Sequence, residues 1–472
     1  MILTTDFGST FTKVTAINTE TAEIIGTAKA FTTIETDIRD GLNTALKDLY
    51  AQTGSLDYTR RLAASSAGGG LKMVAVGLVP ALTAKAAHMA ACSAGAKVVK
   101  TFAYELSTDE AIEIYEINPD LILLSGGTDG GNKDVILHNA KKLAEIDRNF
   151  SVIVAGNKSA ASDATDIIRK GGKDAVICSN VMPQFNVLDI MPAKDAIRSL
   201  FMEKIIEAKG LGEAAKMMSA PIIPTPLAVY EGAQLFLGPV LAVDVGGATT
   251  DVYSMCSGAP TLPNVAQKGL PEPYAKRTVE GDLGIRYSLE ALVEAAQFQL
   301  EDNGRTPTNM PDPHVGVRLQ YHFSNDTNNS NQSLDEYLSQ CAADPSFVPK
   351  PGTPESKLDE KLCGIAVDIA VERHSGRLER IFTPFGETYY QLGKDLSPVK
   401  YVIGTGGPII YSSNPRGILE NAVAPPGNRE CLKPTNPKFL LDKKYILSAA
   451  GLLSRVNREL ALKILQNELT EV

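Results

Sequence analysis

Three short glycine-bearing segments carry residue types suited to holding phosphate. The first is Asp6-Phe7-Gly8-Ser9-Thr10-Phe11-Thr12-Lys13. An apolar run at 2–5 ends in a carboxylate, and small or hydroxylated residues follow. A tight turn of Gly8, Ser9 and Thr10 presents successive backbone N–H groups to one point, a concavity that binds anion oxygens. Each charge-assisted bond would contribute about 1.5–3 kcal/mol. Asp6 repels phosphate directly, so it needs a bridging Mg²⁺ or that ion's waters. Thr12 and Lys13 fall on the returning strand, from which the Lys13 ammonium can fold over the phosphates. An ordinary hairpin with a polar turn accounts for the same residues. The second segment, Asp244-Val245-Gly246-Gly247-Ala248-Thr249-Thr250-Asp251, repeats the logic of terminal Asp, flexible turn and Thr hydroxyls. Two such hairpins in one chain are harder to dismiss, and together they can grip a nucleotide's phosphates from opposite sides. The third, Gly404-Thr405-Gly406-Gly407, follows an apolar strand at 401–403. Its missing side chains let a flat ring pack against backbone. It is neither a Walker loop, since no Gly-Lys-Ser/Thr follows, nor a dinucleotide fingerprint.

These segments need elements to hold them. Residues 2–5, 11–18 and 23–27 read as strands, with a turn at 19–22. Residues 38–50 show helical spacing through Ile38, Leu42, Leu46 and Leu49. From about 95 the pattern becomes strand–helix alternation. Strands are expected at 96–101, 120–124, 151–155 and 175–178, and helices at 108–117, 134–146 and 159–170. Four strands with three intervening helices predict a parallel, doubly wound sheet. Residues 71–215 therefore read as an α/β domain inserted between the first part (1–70) and the remainder (216–472) of a larger α/β fold. The hairpins at Asp6 and Asp244 look like an internal duplication. Residues 303–356, rich in Asn, Asp, Pro and Ser, are expected to be mostly loop. A helix is expected at 362–380, a strand at 401–403 and a helix pair at 445–466.

Composition narrows the functional classes. The 472 residues carry 46 Lys plus Arg and 55 Asp plus Glu, a net charge of −9. That opposes broad binding to nucleic acid or anionic membranes. Cysteines at 92, 178, 256, 341, 363 and 431 form no Cys-x-x-Cys pair, so neither a disulfide framework nor a zinc site is expected. The opening residues lack a basic start and hold Asp6, unlike a secretory signal. No apolar run approaches the ~20 residues that span a bilayer. The expected setting is a reducing compartment, the cytoplasm. His138 reads as a satisfied helix residue, and His374, between Arg373 and Arg377, as part of a solvated helix end.

The order of the three glycine segments resembles the actin, sugar-kinase and heat-shock-chaperone ATPase superfamily. That resemblance implies two ribonuclease H-like lobes closing over ATP and Mg²⁺. It implies that Asp6 and Asp244 hold Mg²⁺ through water, and that Gly8 to Thr10 and Gly246 to Thr249 clasp phosphates. It further implies that Gly404 to Gly407 meet the adenosine. Glu280-Gly281-Asp282-Leu283-Gly284 is similar to a connecting segment in chaperone ATPases, so Glu280 or Asp282 would position the attacking water or simply cap a helix. Ala449-Ala450-Gly451 suits a small-residue helix near the inter-lobe hinge.

A closer likeness covers nearly the whole chain. DFGSTFTKVTAI, DVGGATTDVYS, RTVEGDLGIRYS, ERHSGRLERIFTPFGETYYQLGKDL and IGTGGPII resemble the MutL/GlmL family of accessory proteins of adenosylcobalamin-dependent glutamate mutase. This implies an ATP-binding helper, a reactivating chaperone, with mutase subunits as partners. The inserted unit resembles a cobalamin-binding, flavodoxin-like domain but lacks the Asp-x-His-x-x-Gly signature. His88, in Ala87-His88-Met89, does not supply it. The insertion thus reads as non-binding or mimetic, or as a generic doubly wound insert. A small-molecule kinase and a non-catalytic nucleotide-binding scaffold are the alternatives.

Overall fold

A computed structural model describes residues 1–8, 11–33, 36–66, 72–94, 96–208, 211–236, 238–302, 334–344, 347–384 and 386–472. Ser9 and Thr10 of the first turn, and 303–333 of the expected loop, lie outside them. The chain divides into two compact units. Unit 1 comprises Met1–Leu237, Gly269–Pro271 and Ile446–Glu468, and unit 2 comprises Gly238–Lys268, Glu272–Tyr445 and Leu469–Val472.

Unit 1 begins with β1 (Ile2–Phe7), β2 (Phe11–Asn18), β3 (Glu23–Phe31), α1 (Ile38–Thr53) and β4 (Arg60–Ser65). Next come β5 (Lys72–Gly77), a π-helical turn (Pro80–Ala84), α2 (Lys85–Ser93), β6 (Lys97–Ala103), α3 (Thr108–Ile117) and β7 (Leu121–Leu124). Then follow α4 (Asp134–Glu145), β8 (Ser151–Val154), α5 (Ala161–Lys170), β9 (Ala175–Ile177), α6 (Met191–Ala208), α7 (Leu211–Lys216), β10 (Ile223–Pro224) and α8 (Thr225–Ala233). The first sheet has the order β10-β4-β1-β2-β3. β1, β2 and β3 pair antiparallel, while β4 runs parallel to β1 and β10 parallel to β4. Its core joins Leu3, Phe7, Val14 and Ala16 to the apolar stripe Ile38, Leu42, Leu46 and Leu49 of α1. Burying each such large side chain contributes roughly 1.5–3 kcal/mol.

The second sheet of unit 1 is all parallel, in the order β6-β5-β7-β8-β9. This is a doubly wound order, with its reversal between β5 and β7. It has five strands rather than the expected four, because β5 precedes the stretch where alternation was recognised. Both faces are covered, by cores around Val76, Ile122 and Val152 and around Met73, Leu121 and Ile153. Strands buried on both sides read as continuous apolar runs, as Leu121-Ile122-Leu123-Leu124 does. α3 opens with a capping box in which Ser107 and Glu110 each satisfy the other's backbone N–H.

Unit 2 contains β11 (Val240–Val245), β12 (Thr250–Met255), β13 (Val265–Lys268), β14 (Ala275–Glu280), α9 (Leu289–Asp302), α10 (Leu334–Ala343) and α11 (Pro354–His374). It continues with β15 (Arg377–Thr383), β16 (Gly386–Leu392), β17 (Tyr401–Thr405), α12 (Gly407–Ile410), α13 (Pro415–Leu419) and β18 (Lys438–Leu441). The chain then returns to unit 1 as α14 (Ile446–Ser454) and α15 (Arg458–Glu468) before β19 (Thr470–Glu471). The main sheet has the order β14-β12-β11-β17-β18-β19. Its first five strands repeat the order and directions of the unit 1 sheet, with β11 in the place of β1 and β17 in the place of β4. That match supports the duplication read from the two Asp hairpins.

Two expectations are corrected here. The predicted loop contains α10, whose Tyr337 and Cys341 are buried one helical turn apart in the unit 2 core. The Asn- and Ser-rich surroundings masked this stripe. The helix expected at 362–380 spans Pro354–His374 instead, and Arg377 begins a strand. Ser375 leaves the helix in extended backbone, and a side chain on Gly376 would meet Leu392 O at 2.5 Å. Among the described residues no helix is long and apolar enough to cross a membrane.

Candidate functional site

The first hairpin places Asp6 directly opposite Lys13, and Phe7 opposite Thr12. Gly8 N–H donates to Phe11 O, and a Cβ on Gly8 would sit 2.6 Å from that oxygen, so the turn requires glycine. Thr12 is buried, its hydroxyl bonded to Thr32, which donates in turn to Gly8 O. Thr12 therefore braces the turn from behind. Thr225, the first residue of α8, donates to Asp6 Oδ1 at 2.5 Å. Burial raises the pKa of Asp6, opposed by Lys13 and by the Thr225 bond. Sequence reasoning missed Thr225. Its signal was Ile223-Pro224-Thr225-Pro226, where a strand ends and a proline-started helix begins.

The second hairpin is built differently around the same frame. Asp244 pairs across β12 with Asp251 and across β17 with Thr405. Where the first hairpin has Lys13, this one has an acid, and the cation comes from β14. Arg277 is buried and contacts Asp251 Oδ1 through Nε at 2.9 Å and Nη2 at 2.6 Å. The turn at 246–249 is clasped by the segment after β14. Ile285 N–H donates to Gly246 O, and Arg286 and Tyr287 N–H both donate to Gly247 O. Ser288 Oγ donates to Ala248 O, and Thr250 Oγ1 to Leu283 O at 2.6 Å. A Cβ on Gly284 would lie 2.3 Å from the Ala248 carbonyl carbon, so this close approach depends on glycine. The clasp consumes the turn's carbonyls. Among the described residues no acceptor takes the N–H groups of Gly247, Ala248 or Thr249. Successive backbone N–H groups without an acceptor are the kind of donor that binds an anion where they converge.

The third segment joins the second. Gly406 has φ +91°, and a Cβ there would meet Val245 O at 2.1 Å and Asp244 Oδ1 at 2.7 Å. Gly404 is closed off by Ile409 and Leu419 at 2.9 Å. Gly406 thus lets the β17–α12 turn close onto β11, while Gly404 lets Ile409 and Leu419 pack against β17. On the side where a Cβ would stand, both are filled by protein. Gly407 is the more open position, with Tyr445 Oη 3.6 Å and Tyr411 Cδ2 4.0 Å from its ideal Cβ. Thr405 is buried and its hydroxyl faces Asp442 Oδ2 at 3.4 Å.

Glu280 and Asp282 are brought together by a residue the motifs did not single out. Arg373 Nη1 lies 2.9 Å from Glu280 Oε2 and 2.8 Å from Asp282 Oδ1. Glu280 also stands opposite Thr250 at the mouth of the second hairpin. Asp6 and its turn belong to unit 1, and the other candidates to unit 2.

His374 is corrected. It is fully buried, with Nε2 2.7 Å from Ser254 Oγ and Nδ1 2.8 Å from Thr278 Oγ1. Burial, aided by the charges of Lys276 and Lys394, holds its pKa well below 6.5. The folded imidazole is neutral, whereas the unfolded one gains a proton below about pH 6.5. Stability from this group is therefore present above that pH and lost as pH falls, with a slope of at most ~1.4 kcal/mol per pH unit. Urea midpoints measured from pH 7.5 to 5.5 should fall more steeply for the native chain than for His374→Gln. Parallel curves would remove His374 as the cause.

In the parallel sheet, the glycine loop after β7 is spent on itself. Asn157 Nδ2 donates to Gly131 O and Asn132 O, its Oδ1 accepts from Gly130 N–H, and Asn180 donates to Gly127 O. His88 is bonded to Thr101 and Cys92. All six cysteines are free, and among the described residues no three potential metal ligands gather.

A family model described as MutL protein matches residues 2–469. Protein MutL of Clostridium tetanomorphum is 42% identical over 478 residues, covering 99% of this chain and 98% of that relative. Among solved structures, xylulose kinase from Bifidobacterium adolescentis is 13% identical with a TM-score of 0.31, covering 100% of this chain and 95% of the kinase. Component A of (R)-2-hydroxyglutaryl-CoA dehydratase from Acidaminococcus fermentans is 10% identical with a TM-score of 0.28, covering 98% and 96%.

Proposed function

The chain belongs to the MutL protein family, and from that premise we propose that it is an ATP-binding accessory protein of an adenosylcobalamin-dependent mutase. The observation that carries the nucleotide part is the second turn, which follows Asp244 in the chain and leaves the N–H groups of Gly247, Ala248 and Thr249 without an acceptor among the described residues. The repeated strand order supports a duplicated ribonuclease H-like pair of the actin-like kind, each half offering one Asp hairpin. Phosphate is taken in the second turn by the amides of Gly247 to Thr249, and by the resemblance also at the first turn, where Lys13 stands opposite Asp6. By the resemblance, Asp6 and Asp244 are the residues that would hold Mg²⁺. Asp6 fits that ion, since Oδ1 takes Thr225 and no donor among the described residues reaches Oδ2. The cation would neutralise charge between carboxylate and phosphate oxygens. Glu280 and Asp282, held by Arg373, position water for slow hydrolysis.

The flavodoxin-like insertion serves the partner rather than a cofactor. Its glycine loop is internally satisfied, and the sequence lacks the cobalt-ligating His motif. ATP binding would alter affinity for the mutase by a coupling of about 1–3 kcal/mol, or 5–150-fold. The test is phosphate release from ATP by the purified chain, with and without inactivated mutase. Stimulated release and recovery of mutase activity are expected, and both should be lost in Asp6→Ala. Equal recovery with that variant would overturn the mechanism.

A further inference from the structure

We propose that Arg286, locked by Asp359 and Tyr337, is the positioning residue of the second turn, its side chain setting the placement of the N–H groups of Gly247, Ala248 and Thr249. The inference rests on the phosphate reading of that turn and adds what holds the turn in shape. Gly246-Gly247-Ala248 carries no large side chain to wedge it in place. Its shape therefore comes from what grips it. Gly247 O accepts from two N–H groups, those of Arg286 and Tyr287, both at 2.8 Å. The Arg286 stem lies along the same residue, with Cβ 3.4 Å and Cγ 3.6 Å from the position a Cβ on Gly247 would take. A shift of Arg286 thus carries Gly247 with it, and with Gly247 the amides that have no acceptor among the described residues.

Arg286 is fixed at its far end. Its guanidinium forms a two-point fork on Asp359 of α11, Nη1 to Oδ1 at 2.6 Å and Nη2 to Oδ2 at 3.0 Å. Nε donates to Phe347 O at 2.9 Å, and Nη1 also to Ile285 O at 2.6 Å. Tyr337 of α10 is fully buried and donates its hydroxyl to Asp359 Oδ1 at 2.7 Å. Burial, and then the charge of Asp359, push the Tyr337 phenol well above its usual range, so it stays protonated and keeps donating. The side chains of Arg286 and Asp359 are only 10% and 16% exposed, so water competes little for the fork. Two parallel charged bonds fix direction as well as distance. A buried ion pair adds little net stability over apolar side chains of similar volume. What this network contributes is geometry, passed from two helices to the backbone that grips the turn.

The test is the full-length chain carrying Arg286→Met, Asp359→Leu and Tyr337→Phe together. Replacing the whole network by apolar side chains should leave the urea midpoint near the native one. Calorimetric titration with inorganic tripolyphosphate in excess Mg²⁺ should nonetheless give roughly tenfold weaker binding, the lower end of the loss that outer-shell partners of a bound ion cause. Hydrogen exchange at 246–250 should slow when tripolyphosphate is added to the native chain, and slow less in the triple variant. Val367→Ala, at a buried position of the same helix, is the stability control. It should lower the midpoint and keep native tripolyphosphate affinity. If the triple variant loses stability as well, its affinity should still fall below that of Val367→Ala. Native affinity in the triple variant, or an equal loss in Val367→Ala, overturns the positioning role while the phosphate reading stands. Tripolyphosphate binding to none of the chains, with no slowing at 246–250, overturns both.

Discussion

Asp244→Asn should separate the two electrostatic roles of the second turn. The amide is nearly isosteric with the carboxylate, so the strand β11 and its contact with Gly406 should persist. The change removes the negative charge that opposes phosphate and that would hold a hydrated cation. Without Mg²⁺, ATP should then bind the variant several-fold more tightly than the native chain, because like-charge repulsion has gone. With Mg²⁺, the native chain should gain affinity and the variant should gain little. Any phosphate release should fall on the order of a hundredfold, the scale seen when one preorganised electrostatic group is lost. Titration with ATP in excess Mg²⁺ and in excess chelator reads all of this. A variant with native Mg²⁺ dependence would remove Asp244 from the cation's surroundings, and with it half of the duplicated phosphate scheme.

Gly451→Val should have the largest effect on stability. α8 and α14 cross at two glycines inside unit 1. A Cβ on Gly451 would lie 1.8 Å from Ala228 O, and one on Gly232 would lie 2.1 Å from Leu447 O. The obstacle is backbone rather than a movable side chain, so the helices themselves must separate. Both are buried, and α14 also packs on β1 and β4. Overpacking of this kind costs about 1–3 kcal/mol and more when backbone must shift. The displacement would also reach the site, because α8 carries Thr225, whose hydroxyl holds Asp6. Gly451→Val should lower the urea midpoint markedly and weaken ATP binding together. A midpoint within error of the native chain would mean the crossing is looser than its geometry states.

The elements that carry the chemistry were legible because their signals are local. A strand carrying Asp and followed by a glycine turn, repeated at 6 and 244, is a pattern of adjacent residues, and both segments form antiparallel hairpins. The stripe of Ile38, Leu42, Leu46 and Leu49 and the apolar strands of the parallel sheet depend on periodicity alone. Less local features were misread. α10 was hidden by polar neighbours, and Ser375-Gly376 ended a helix earlier than its periodicity suggested.

What only the tertiary structure decided was which charge meets which. Lys13 faces Asp6 across two strands, yet the equivalent acid in the second hairpin, Asp251, is met by Arg277 from a third. Thr225 reaches Asp6 from 219 residues away, and Arg373 joins Glu280 and Asp282 from more than 90. His374 lies between two arginines in the chain but is buried between Ser254 and Thr278 in the fold. Such pairings arise from strand order and helix docking. Chain neighbours fix backbone preference and periodicity, whereas burial and charge balance are properties of distant surfaces brought into contact.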